Sequence, residues 1–318
     1  MMKHIFSLLI CSAIIFLAGC REQALNPFYT NEYVVNVAEI NGAWESIEDG
    51  DRKIEQELRE IWHVAQGKKN LEIIEGGAVT SQLAMTIFQI DSDYFMDLTA
   101  GDMANNTVGS NWLSHVMPTH SLYKIEITAE NLILLPFDFQ WLKEAVEKQE
   151  FQLPYVNAEV NTGLFTASPE EWIDFLEKNR NLDKAFNQKE RKIFVRNRTA
   201  DDFFSAYQDW QRALEENSSV KISSRADDYI TLESYRKMAA FGEPVLPLLM
   251  AKIQAGEKNG WQESEFFLWY AVREITGVDL STPNEFLGES EIAYRYLTWW
   301  REQLLKIFEQ KFGQKDTS

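Results

Sequence analysis

Cysteine is nearly absent: two occur among 318 residues, Cys11 and Cys20, both within the first twenty. No disulfide framework can staple the remaining chain, and no thiolate is available there for catalysis or metal binding. Histidine is also sparse, at four, and only His63, His115 and His120 lie beyond the opening segment. Nucleophile signatures are missing too. There is no G-x-S-x-G elbow and no S-x-x-K accompanied by K-T-G, which leaves serine-hydrolase chemistry without a recognisable seat. Basic residues are outnumbered, 31 Lys and Arg against 49 Asp and Glu, for a net charge of -18 at pH 7. That charge repels phosphate backbones, and no basic stripe with interleaved aromatics offsets it, which excludes nucleic acid as a partner. Long apolar runs are lacking apart from Ile5 to Ala18, which falls short of the roughly 20 residues that span a bilayer as a helix. Behind Met1-Met2-Lys3-His4 it has the length of a secretion-signal core.

That run ends in Leu17-Ala18-Gly19-Cys20. These four residues resemble the lipobox of bacterial lipoproteins, in which small residues precede a cysteine that is lipidated and becomes the new N-terminus. The resemblance implies removal of residues 1–19 and attachment of diacylglycerol and an N-linked, palmitate-type acyl chain to Cys20. That is more hydrophobic anchor than stable membrane attachment requires. Arg21 stands where the family's inner-membrane retention signal has Asp, so in a Gram-negative host the resemblance implies the outer membrane, facing the periplasm.

Past the leader, roughly 300 residues suffice for two cores, and a 13% aromatic fraction with ten Trp argues for well-filled interiors. Residues 20–32 read as a tether. Six short runs between 33 and 137, "YVVNVAEI", "NLEIIEG", "AMTIFQI", "DYFMDLT", "SLYKIEI" and "NLILLPF", are rich in Val, Ile, Leu, Tyr and Phe, several alternate, and they predict a small antiparallel barrel or sandwich. A helix follows at about 138–149, then strands "YVNAEV" and "LFTAS". Ser168-Pro169-Glu170-Glu171 is a capping box that opens another helix, and "KIFVR" returns as a last strand. The β-rich domain thus covers 33–198. A helix and a serine-rich linker occupy 199–225, and the rest to 312 is helical with stops at Gly242, Gly256 and Gly277, before a tail at 313–318. The fold class is α+β.

Tyr235 to Ala255, "YRKMAAFGEPVLPLLMAKIQA", looks like a HEAT-type repeat, in which a first helix ends at glycine and a second opens with proline. The β-rich part, through Phe95-Met96-Asp97-Leu98 and Pro118-Thr119-His120, is similar to a group of bacterial secreted proteins with a lipocalin-like or calycin-like β-domain. That resemblance implies a fold and no chemistry.

Candidate sites are few. His115 and His120, with Asp97 and Asp102 upstream, are the candidate metal ligands, but H-x-x-x-x-H is no recognised zinc spacing. The competing reading has His120 bonded beside a strand start and His115 facing water. Asp91, Asp93, Asp97 and Asp102 lack the spacing of a calcium loop. Trp269, Tyr270, Trp299 and Trp300 are a candidate partner surface, against the alternative that such clusters form core. No catalytic constellation and no cofactor site emerges. The expectation is a cell-envelope lipoprotein, anchored at Cys20, that binds a protein partner or small ligand without catalysis; the alternative is a metal-assisted hydrolase using His115 and His120.

Overall fold

Eleven strands form one sheet in a computed structural model that describes residues 23–47, 58–65, 67, 70–100, 119–158, 162–182, 184–217, 225–261, 264–281 and 288–312. They are β1 (Gln23–Ala24), β2 (Gly42–Ile47), β3 (Ile61–Ala65), β4 (Asn70–Glu75), β5 (Ala78–Ile90), β6 (Asp93–Ala100), β7 (His120–Ile127), β8 (Asn131–Pro136), β9 (Tyr155–Ala158), β10 (Thr162–Phe165) and β11 (Lys192–Arg196). Strands β2 to β8 meander in chain order, and β11 inserts between β8 and β2 to close an eight-stranded antiparallel barrel. Closure removes the free edges that invite aggregation. The expected barrel is therefore present. The α+β class holds as well, with eight α-helices among the described residues.

The strand registers assign the two faces of the wall. Trp44, Phe194, Leu132, Leu134, Ile125, Met96, Ile87 and Met85 share one face, and all are buried. Phe88, Phe95, Leu122 and Leu135 share the other, together with α1 (Phe139–Glu147) and α2 (Pro169–Asn179). An eight-stranded barrel has room inside for side chains and none for helices, so the first set fills the interior and the second lies on the outer wall. These eight apolar side chains thus point into the interior. Each one buried contributes about 1.5–3 kcal/mol.

Alternation explains which strands form. The runs at 70–76, 84–90, 93–99, 121–127 and 131–137 fall in β4 to β8. The run at 33–40 does not become a strand. It lies between and within the 3-10 turns Asn31–Tyr33 and Ala38–Ile40, and Val34 makes a single bridge to Phe88. Strands β2 and β3, which close the barrel instead, carry their apolar residues as Ala43-Trp44 and Ile61-Trp62 pairs that hide the alternation.

Residues 23–32 are not a slack tether. Gln23 and Ala24 pair in parallel with Leu164 and Phe165 of β10, and Ala24 also faces His120 of β7. Phe28 is wholly buried against Trp172, at 4.8 Å between ring centroids. The Asn26 amide donates to the carbonyls of Thr166 and Ala167 at 3.2 and 3.0 Å. A small residue and a large aromatic on an apolar wall make docking more favourable than solvation. In α2 the capping box forms as read: Glu171 N–H donates to Ser168 Oγ and Ser168 N–H to the Glu171 carboxylate.

Chain contacts separate a second unit, made of residues 51–62, 73–79 and 197–318. Its helices are α3 (Arg198–Glu216), α4 (Ala226–Ile230), α5 (Glu233–Ala240), α6 (Leu246–Lys258), α7 (Trp269–Thr276) and α8 (Glu289–Phe312). The division falls at Asn197, whose side chain caps α3 by accepting from Ala200 N–H; most of the serine-rich stretch, 218–224, lies outside the described residues. Gly242 and Gly277, at φ 72° and 69°, stop helices as expected. Gly256 does not: it lies inside α6, where a Cβ would come within 2.8 Å of Glu265 Cβ. Its lack of a side chain admits the turn 264–268 rather than ending the helix. Helix α5 packs chiefly on α3 and α7, and α6 on α7, α8 and that turn.

Candidate functional site

Strands β6 and β7 bring Asp97 and His120 together across two residues of stagger, since Asp97 faces Leu122 and Thr99 faces His120. Asp97 follows Phe95 on the outer, apolar face of the wall and is only 3% exposed, one of two charged residues buried among those described. Both its carboxylate oxygens lie 2.9 Å from His120 Nδ1, and Oδ2 also accepts the Phe28 N–H at 3.4 Å. Burial pushes the Asp97 carboxyl up from its ordinary range, against the opposing pull of the His120 bond and charge and of the Phe28 N–H. Carboxylate contact at Nδ1 orients the ring and leaves Nε2 for other chemistry. No described residue bonds that nitrogen.

Pairing places Thr99, His120, Ala24, Phe165 and Tyr155 on one rung across five strands. The Thr99 hydroxyl and the Tyr155 hydroxyl are both buried without a hydrogen-bond partner. Phe28 and Thr99 are site residues that the sequence did not single out. The readable signal was a charged residue on the apolar side of an alternating strand, which singles out Asp97 for a buried partner.

The other candidates separate. His115, Asp102 and Pro118 lie outside the described residues, as does Cys20. His63 on β3 faces Glu72 on β4, Nδ1 to Oε2 3.5 Å. Asp91 pairs with Arg180, and Asp93 takes Lys124 at 3.1 Å and Arg180 at 3.3 Å, so cationic side chains occupy two of the four candidate calcium carboxylates. Among the described residues no group of three His, Cys, Asp or Glu is placed to hold a metal ion.

The aromatic candidates divide. Trp269 and Trp300 are 2% and 5% exposed, which removes them from a partner surface; Tyr270 and Trp299 are half-buried. Trp269 stacks on Tyr270 at 3.7 Å between centroids, and both donate to the Glu289 carboxylate, from Nε1 at 2.8 Å and from the hydroxyl at 3.1 Å. Arg273 lies over both rings, at 5.0 and 5.1 Å. Burial and Glu289 push the Tyr270 hydroxyl up to about 12. Trp300 donates from Nε1 to Gly76 O at 2.9 Å. The buried Trp269 and Trp300 rings need their polar edges satisfied inside a core, and Glu289 and Gly76 O, which no motif marks, supply the acceptors. Comparison with family models, curated proteins and solved structures finds no match to this chain.

Proposed function

We propose that the chain is a lipid-anchored protein of the cell envelope that binds other molecules rather than transforming them. The observation that carries the reading is the fastening of residues 23–34. A segment that begins three residues after Cys20 is held to the barrel by strand pairing, by buried Phe28 and by the Asp97 carboxylate. A load on the anchor therefore reaches the folded wall directly. In a Gram-negative host the acylated Cys20 sits in the outer membrane and the chain faces the periplasm.

Large apolar side chains such as Trp44, Phe194 and Met96 point into the barrel, and a ligand of the β-domain is placed on its outer surface. The helical unit docks a protein partner through half-buried Tyr270 and Trp299. Its HEAT-like character rests on the Gly242–Pro244 turn between α5 and α6. A charge of -18 argues against nucleic acid, and no cofactor is assigned. The test is a crosslinked pull-down from membranes with wild type and with Tyr270→Ala/Trp299→Ala. A partner recovered by the first and lost by the second supports the reading, and an unchanged profile contradicts it.

A second reading is favoured by one observation, the Asp97 contact at His120 Nδ1, which presents Nε2 as zinc ligands are presented in carboxylate–histidine–zinc sites. In that reading His120 and His115 hold a zinc ion for hydrolysis. Stoichiometric zinc in protein purified without added metal, lost in His120→Ala, supports it; protein free of zinc that also fails to bind it on titration contradicts it.

A further inference from the structure

Strand β9 ends the sheet, after β7, β1 and β10, and its outer edge has no neighbouring strand among the described residues. Gln23 pairs with Leu164, and Leu164 with Val156, so the start of β1 and the middle of β9 lie on one rung. Two strand spacings separate them, about 10 Å. The alternate rung, Ala24, Phe165 and Tyr155, packs into the aromatic core. Val156 therefore points the other way, and at 55% it is more exposed than Ile47, Tyr294 or Leu182, the other large apolar residues that face solvent among those described.

Charge marks the same place. The residues of β1, β10 and β9, Gln-Ala, Thr-Gly-Leu-Phe and Tyr-Val-Asn-Ala, carry no ionisable acid or base of ordinary charge at pH 7, in a chain that is 25% charged. Three residues of chain, Cys20 to Gln23, reach at most about 10 Å. An acyl-bearing Cys20 thus cannot stand more than roughly 20 Å from Val156.

We propose that the β1–β10–β9 edge is the membrane-apposed face, with Val156 at the head-group boundary of a lipid surface. The inference rests on acylation of Cys20. An edge without charged side chains gives up less hydration at a head-group boundary than a charged one, and its open backbone groups stay in contact with water there, whereas the acidic remainder of the chain is repelled by anionic head groups. Short covalent reach confines the contact to the strands beside β1; β7 lies as close but carries Lys124 and Glu126, so the uncharged β10 and β9 are the strands that meet the lipid surface.

The test uses the full-length acylated protein in phosphatidylcholine vesicles that contain a head-group spin-labelled lipid as quencher. A fluorophore is placed on Val156→Cys or, four strands away from β1 on β2, on Ile47→Cys. Cys20 is blocked by its thioether and does not take the label. Quenching at 156 at least threefold stronger than at 47 is expected. If the protein floats with the vesicles but 156 is quenched no more than 47, the proposed face is overturned while the anchor stands. Should the Cys20→Ser form of the labelled protein float as well as its parent, the anchor reading falls and this inference with it. Both label sites are exposed, so neither substitution threatens folding.

Discussion

Asp97 grips His120 through both carboxylate oxygens, each 2.9 Å from Nδ1, and the same carboxylate takes the N–H of Phe28. A charge buried to this extent costs several kcal/mol unless paired. The pair therefore joins three elements, β6, β7 and the N-terminal segment, at one point.

Removing one partner is expected to hurt more than replacing the carboxylate with an amide. His120→Ala leaves the buried Asp97 carboxyl without its imidazole partner and should cost about 3 kcal/mol at pH 7 in chemical denaturation. Burial raises the Asp97 pKa above its ordinary 3.8, so the folded state binds this proton more readily than the unfolded state. The group's contribution to stability is full below about 3.8 and is lost as pH rises through the raised value. In His120→Ala the two opposing effects of the imidazole vanish, and stability should fall more steeply with pH above 4 than in wild type. Asp97→Asn removes that group's slope. Denaturation midpoints taken between pH 4 and pH 8 check both.

Alanine in place of a mid-helix glycine normally stabilises by about 1 kcal/mol. Gly256→Ala is expected to do the reverse, by roughly 1–3 kcal/mol, because the new Cβ would lie 2.8 Å from Glu265 Cβ and 3.1 Å from the Trp261 ring. A raised thermal midpoint would refute the close approach of α6 and the 264–268 turn.

The tip of the β4–β5 hairpin makes a comparable demand. Gly76 and Gly77 have φ of 56° and 74°, and a Cβ on Gly77 would collide with Trp300 Nε1. Gly77→Ala combines a left-handed backbone with overpacking and should lose at least about 2 kcal/mol. Trp300→Phe keeps most of the ring but abandons the bond to Gly76 O, for a loss nearer 1 kcal/mol. Equal effects from the two, read by urea unfolding, would contradict this ordering.

At the start of α2, Ser168→Ala leaves the Glu171 N–H without its acceptor. The expected loss is about 1 kcal/mol, and Ser168→Thr should restore most of it, as followed by circular dichroism.

How far the sequence discloses this arrangement depends on the element. Strands β4 to β8 were legible because each holds a short stretch rich in Val, Ile, Leu, Tyr or Phe, several of them alternating with polar residues. Residues 33–40 have the same composition but no strand to lie against beyond the single Val34 bridge, and composition alone does not reveal a missing neighbour. The capping box at Ser168 was legible because it is local. By contrast, the Asp97–His120 pair joins residues 23 apart, and its selection over other Asp–His combinations is set by strand register. Trp269 and Trp300 illustrate the same limit: helical spacing puts them on faces, while Glu289 and Gly76, distant in sequence, decide that those faces are interior.

The central claim is that Cys20 carries lipid and begins the mature chain. Mass spectrometry of the N-terminal peptide from membrane-extracted protein tests it most directly. The account predicts a peptide that starts at Cys20 with diacylglycerol and an amide-linked acyl chain; a peptide that starts at Met1, or one that contains an unmodified Cys20, would contradict it.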